Sequence, residues 1–226
     1  MPYFAIEGVD GCGSTLITQT LAHHLGQCGV QCQCVAEPTS GSIGNFIRSI
    51  LAGRERVSMV AMPYLFLADR LCLYEEVREH LSAGQMVISD RCYWSTLVYQ
   101  QDVFNIEYLD SLHESQYLLR PTCIFVLTVD PRVAEGRMMC RSKTVEIYDN
   151  REVAKRMGLR YEKLPKVSRV AAGDHFIYID GNDRPENVVR NIMVWARRIM
   201  TFGVPKGQVL RLNNATLEFI NAKMSA

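Results

Sequence analysis

Short apolar runs and longer helical stretches alternate along the chain. Runs suited to buried strands occupy 3–6, 33–36, 86–89, 122–129 and 176–179, each bounded by polar or turn residues. Between them, apolar positions recur at three- and four-residue spacing over 14–27, 43–52, 60–82, 94–118, 131–141, 149–163 and 185–200, the period of helices with one buried face. Strands that alternate with helices predict an α/β fold: a five-stranded parallel sheet covered by helices on both faces and joined by right-handed crossovers. In such sheets ligands bind beyond the carboxyl ends of the strands. Asp10, Glu37, Asp90, Asp130 and Asp180 all fall at or just past a predicted strand end, so the pattern gathers them on one edge.

The first strand leads directly into Gly8-Val9-Asp10-Gly11-Cys12-Gly13-Ser14-Thr15 and then into a helix. This is the arrangement of a phosphate-binding loop, in which glycines let backbone N–H groups curl around phosphate oxygens at a helix N-terminus. The consensus places lysine before the final hydroxyl residue, and here that place holds Ser14. Thr15 keeps the hydroxyl that ligates Mg²⁺. A nucleotide site is expected, with its principal cation missing.

Composition narrows the partners. The 226 residues are enough for one sizeable core, and no linker or repeat divides them. A formal net charge of +1 gives no reason to expect nucleic acid or an anionic membrane as a partner. No apolar run approaches the ~20 residues of a bilayer span, and the N-terminus enters the first strand without a basic leader, so a cytoplasmic protein is expected. Eight cysteines are scattered through predicted strands and helices. Only Cys28, Cys32 and Cys34 cluster, with no second Cys/His pair to complete a tetrahedral site, which predicts reduced thiols.

Further motifs follow each strand. Glu37-Pro38-Thr39 and Ile43-Gly44-Asn45-Phe46-Ile47-Arg48 follow the second; Leu65-Phe66-Leu67-Ala68-Asp69-Arg70 lies on a long helix; Asp90-Arg91-Cys92-Tyr93-Trp94-Ser95-Thr96-Leu97-Val98-Tyr99-Gln100 follows the third. With these in order and at this spacing, residues 3 to about 200 resemble the thymidylate kinases. The resemblance implies a P-loop NTPase fold over 1–204, a lid at about 137–150 and a C-terminal extension of unassigned role over 205–226. It implies phosphoryl transfer from ATP to dTMP with Mg²⁺, giving dTDP and ADP for dTTP synthesis, in a homodimer built from the helices near 60–82 and 94–118.

The resemblance also implies roles for particular residues. ATP would lie on Gly8, Val9, Asp10, Gly11, Cys12, Gly13, Ser14 and Thr15, with adenine near Asn182; Thr15 and Asp90 would hold Mg²⁺. Phe66 would stack on thymine and Arg70 would reach its exocyclic oxygen, with Ser95, Thr96 and Gln100 along the base edge and Glu37 nearby. Tyr99 would lie beneath the deoxyribose and exclude a 2′-hydroxyl. Asp10 would accept from the 3′-hydroxyl or from metal-bound water near the acceptor phosphate, Arg91 would hold that phosphate with Arg48 as a second contact, and Arg137 and Arg141, with Lys143, would bring positive charge from the lid. Taken alone, Phe66 reads as core and Asp69-Arg70 as an exposed ion pair; the accompanying motifs reverse that reading. Ser14, Ala36, Cys92 and Leu16 depart from the family pattern. They leave two alternatives: a nucleotide-binding relative with impaired catalysis, and a kinase for another, modified pyrimidine monophosphate.

Overall fold

In a computed structural model, which describes residues 1–114, 117–141, 148, 150–167, 174–203 and 210–211, all five predicted strands form: β1 (Tyr3–Gly8), β2 (Cys32–Ala36), β3 (Met86–Asp90), β4 (Cys123–Thr128) and β5 (Phe176–Asp180). They are parallel, in the order β2-β3-β1-β4-β5. A two-residue strand, β6 (Leu210–Arg211), extends the sheet beyond β5, pairing Ile177 with Leu210 and Tyr178 with Arg211. Residues 210–211, within the expected C-terminal extension, therefore contribute to the sheet edge. Two residues carry no detectable period, which is why the pattern gave no sign of β6.

The helices are α1 (Ser14–Gln27), α2 (Ser42–Leu51), α3 (Met62–Ser82), α4 (Tyr93–Tyr99), α5 (Ile106–Ser111), α6 (Pro131–Arg141), α7 (Arg151–Val167) and α8 (Pro185–Phe202). The stretch expected as one helix over 94–118 is two short helices. Arg160 on α7 donates to the Val98 carbonyl at 2.9 Å and also pairs with Asp102, so the carbonyl that would continue α4 is already occupied. Asn105 then starts α5, its side chain accepting from the Tyr108 amide at 2.8 Å, a helix start written into the middle of the apolar period.

β1 is buried along its whole length between β3 and β4. Phe4 meets Phe125 edge-to-face at 5.5 Å, and Ile6 and Ile88 are fully enclosed beside them. α3 packs on β2 and β3 through a separate cluster of Tyr3, Val35, Leu73, Tyr74, Val77 and Val87, while α1 packs against α8. Strands buried on both faces cannot alternate apolar with polar residues, and β1 and β4 do not; β2, at the sheet edge, is only partly buried. The result holds the carboxyl ends of β1, β2 and β3 side by side, in register Ile6 with Asp90 and Ala36 with Asp90.

Candidate active site

The loop after β1 is shaped by glycine. Gly11 has φ +79°, and a Cβ there would lie 2.4 Å from the Ala134 carbonyl oxygen on α6. Gly13, at φ +92°, precedes α1, whose first turn has neither a capping side chain nor an acidic residue. Its leading N–H groups are thus left for an anion. Ser14 lines the cleft beside them. The Thr15 hydroxyl donates to Asp90 Oδ2 at 2.5 Å, while Asp90 Oδ1 is buried without a partner.

At the end of β3, Arg91 has φ +75°, a left-handed conformation uncommon for a side chain of this size. Its amide donates to the Ile6 carbonyl at 2.9 Å. The guanidinium donates to the Gly8 carbonyl at 3.0 Å and Ser95 Oγ at 3.2 Å, and pairs with Asp10. Burial is the largest influence and opposes its charge, but Asp10, Tyr99, Tyr161 and Glu7, in that order, together outweigh burial and leave the Arg91 pKa well above the ordinary range. Tyr99 completes the group: its hydroxyl donates to Asp10 Oδ2 at 3.0 Å and accepts from the Asp10 amide at 3.1 Å.

These residues share one cleft of about 420 Å³ with Gly11, Gly13, Ser14, Thr15, Glu37, Arg48, Phe66, Asp90, Ser95, Thr96 and Gln100. The volume suits a nucleotide-sized ligand. Phe66 therefore lies on the wall of the cleft. Gln100 presents an amide whose oxygen and nitrogen are both buried without a partner, and Tyr148, edge-on to Tyr99 at 5.0 Å, presents a hydroxyl in the same condition. Arg48 also reaches the cleft, donating to the Pro38 and Thr39 carbonyls.

Arg70 departs from its expected place. It is fully buried and does not line the cleft. Its Nε donates to both Glu37 oxygens at 3.0 and 2.9 Å, one terminal nitrogen donates to Glu37 Oε2 at 2.5 Å and Thr96 Oγ1 at 3.1 Å, and the other to His113 Nε2 at 2.8 Å. Nearly every donor is occupied, so this guanidinium orients Glu37 and Thr96, which do face the cleft. Burial pushes the Glu37 carboxyl above its ordinary value, against the pull of Arg70. Asp69 is likewise buried and not a surface ion-pair partner: it accepts from the Thr39 amide at 2.7 Å and hydroxyl at 2.6 Å.

His113 has a consequence for stability. Its Nδ1 donates to the Leu109 carbonyl at 2.7 Å and its Nε2 accepts from Arg70, so the ring is neutral. Burial, and then the Arg70 charge, hold its pKa down to about 3 from 6.5. Below pH 6.5 the unfolded chain binds a proton that the folded chain refuses, so stability falls as pH drops from 6.5 towards 3. At pH 5 the loss is about 2 kcal/mol. His113→Gln is expected to lessen the drop in urea midpoint between pH 7 and pH 5; an unchanged drop would place the acid sensitivity elsewhere.

Arg137 is also displaced from its expected role. Its guanidinium donates to the Cys12 carbonyl at 3.3 Å and the Gly181 carbonyl at 2.9 Å, tying the glycine loop to the turn after β5, and it does not line the cleft. Asn182 braces that turn, accepting from the Asp130 amide at 2.8 Å and donating to Asp180 at 2.7 Å. Val9 and Cys12 are buried loop residues. The Arg141 side chain and Lys143 lie outside the described residues. All eight cysteines are free thiols. No helix among the described residues is long and apolar enough to cross a membrane.

Sequence reasoning did not find Glu7, Asp69, His113 or Tyr148. For Glu7 a signal existed: a carboxylate closing an otherwise apolar strand must find buried donors. His113 sits in a segment with no motif to mark it, and Tyr148 falls in the expected lid without a role of its own.

Among the described residues no three His, Cys, Asp or Glu side chains converge on a metal site. The Thr15–Asp90 pair instead offers hard oxygens of the kind Mg²⁺ uses when phosphate and water complete its shell, and the unpartnered Asp90 Oδ1 fits that demand.

A sequence model of the family described as thymidylate kinase matches residues 6–192. A probable thymidylate kinase of Methanosphaera stadtmanae is 30% identical over 174 residues, 74% of this chain and 85% of the relative. One from Methanocaldococcus jannaschii is 28% identical over 194 residues, covering 85% and 93% of the two chains. One from Methanothermobacter thermautotrophicus is 35% identical over 140 residues, covering 60% and 68%.

Proposed function

The chain belongs to the thymidylate kinase family, and from that premise we propose that its cleft transfers a phosphoryl group from ATP to dTMP, giving dTDP and ADP. One observation carries the reading: the glycine loop at the start of α1 and the acceptor residues Phe66, Arg91, Thr96 and Tyr99 line a single cavity. Both nucleotides thus meet at the carboxyl edge of β1 and β3. Catalysis comes from alignment and charge neutralisation, without a covalent intermediate.

The loop amides receive the phosphates of ATP. Arg91 grips the acceptor phosphate, its fork preset by Asp10, Gly8 and Ser95. Phe66 stacks on the base, and Thr96 and Gln100 meet the base edge. The Thr96 hydroxyl already accepts from Arg70 and so has its proton to give, while Gln100 has both amide groups unpaired. Tyr99, fixed to Asp10, fills the space that a 2′-hydroxyl would need. Thr15 and Asp90 would hold Mg²⁺, which would supply neutralisation of phosphate charge. A homodimer is part of the same proposal; because 94–118 is not one helix, α3 supplies its main surface, with exposed Tyr64 and Tyr108 beside it, and sedimentation tests it.

The purified protein is expected to phosphorylate dTMP in preference to dCMP, dGMP and UMP in an ADP-release assay, and to bind it most tightly. A site whose buried amide and hydroxyl need partners penalises a base that cannot pair them by several kcal/mol. Equal affinity for purine monophosphates would overturn the thymidylate assignment.

A further inference from the structure

Glu7 is fully buried at the end of β1, one residue before the glycine loop, and four donors converge on it. Oε1 accepts from the backbone amides of Cys92 at 2.8 Å and Ser95 at 3.1 Å. Oε2 accepts from Ser95 Oγ at 2.8 Å and from the Tyr161 hydroxyl at 2.7 Å. The carboxylate thus caps the first turn of α4 from another strand, filling amides that no side chain of α4's own N-cap residue, Cys92, satisfies.

The residue immediately before these anchors is Arg91. It holds a left-handed backbone conformation, which costs about 1 kcal/mol or more for a side chain and persists only where its surroundings enforce it. Its own amide is fixed to Ile6, and the amide of the next residue is fixed to Glu7. Ser95 Oγ closes the circuit by donating to Glu7 while accepting from the Arg91 guanidinium. Backbone and fork of Arg91 are therefore both referred to one buried carboxylate. Tyr161 joins α7 to the same point.

We propose that Glu7 is a positioning residue for acceptor-phosphate binding, which it serves by holding Arg91 in the geometry that grips the dianion. This rests on the reading of Arg91 as the phosphate-holding residue. Glu7 is fully buried and does not line the cleft. Glutamine keeps its shape but points an N–H group at converging donors, so Glu7→Gln loosens the Arg91 loop without emptying the space.

The test compares dTMP with thymidine, which lacks the phosphate, by calorimetry on the whole protein. In Glu7→Gln, dTMP affinity is expected to fall roughly 10- to 100-fold, the scale of a misplaced binding group, with thymidine affinity unchanged. The dTMP-to-thymidine ratio then moves towards that of Arg91→Ala. Tyr161→Phe, which removes one of four donors, moves it less. A folded Glu7→Gln with the wild-type ratio, or one that loses both ligands equally, overturns the proposal. Should Glu7→Gln fail to fold, Ser95→Ala cuts the side-chain link while sparing both backbone contacts, and an unchanged ratio there overturns it. An unchanged ratio in Arg91→Ala overturns the phosphate-holding reading itself; a collapse there with none in Glu7→Gln overturns this proposal alone.

Discussion

Replacing Arg91 with alanine is expected to cut turnover of dTMP by roughly 100- to 1,000-fold, the loss seen when one preorganised donor is removed from a developing charge. The substitution does more than delete a cation. Arg91 spans the Gly8 carbonyl, Ser95 Oγ and the Asp10 carboxylate, so its loss leaves Asp10, at the mouth of the phosphate loop, without its only ion-pair partner among the described residues. An unpaired carboxylate beside an incoming dianion repels it, and the dTMP KM is expected to rise together with the fall in kcat, while the ATP KM changes little. Arg91→Lys should recover only part of the loss, because an ammonium cannot reach Gly8, Ser95 and Asp10 at once as the planar fork does. Steady-state kinetics with each substrate varied separates these effects. Wild-type constants in Arg91→Ala would show that the Asp90-Arg91 turn serves only to join β3 to α4.

Installing the absent loop cation works in the opposite direction. Ser14→Lys is expected to raise turnover about 10-fold or more, since a single electrostatic donor in a water-poor site is worth a few kcal/mol in the transition state. The loop is otherwise ready for it: Gly11 and Gly13 hold left-handed conformations, the first turn of α1 is uncapped, and Ser14 already lines the cleft. Arg137 does not fill the gap in this geometry, because the Cys12 and Gly181 carbonyls hold its guanidinium. Compensation in an active wild-type enzyme then falls to the remaining lid cations, Arg141 and Lys143, and Arg141→Ala should abolish activity. Because lid cations act at the moment of transfer, the change is expected in kcat more than in the ATP KM. Turnover that appears only in Ser14→Lys would identify the wild-type chain as a nucleotide-binding relative with impaired chemistry. No change in an already active enzyme would mean that the missing charge is supplied in full from elsewhere.

Much of this arrangement is local and was legible in order along the chain. Five mainly apolar runs mark the strands, and the span Gly8 to Thr15 marks a phosphate loop because glycine takes the left-handed backbone of Gly11 and Gly13 without strain. Of the five carboxylates that the carboxyl-edge rule gathered, Asp10, Glu37 and Asp90 line the cleft, whereas Asp130 and Asp180 gather around Asn182 at the turn after β5.

Where a side chain has several possible partners, the sequence by itself determined only that it belonged near the site. Arg70 carries donors that suit a base or a carboxylate equally, and the choice of Glu37, Thr96 and His113 follows from packing α3 against β2 and the α4–α5 segment. The break between α4 and α5 depends on Arg160, some sixty residues further along, taking the Val98 carbonyl. Glu7 gains its meaning only when β1, the Arg91 turn and α7 converge on it. Secondary structure and loop chemistry are set by neighbours in sequence, whereas hydrogen-bond partners buried at long range are chosen by which donors the folded sheet leaves unsatisfied. Only the tertiary structure could decide those.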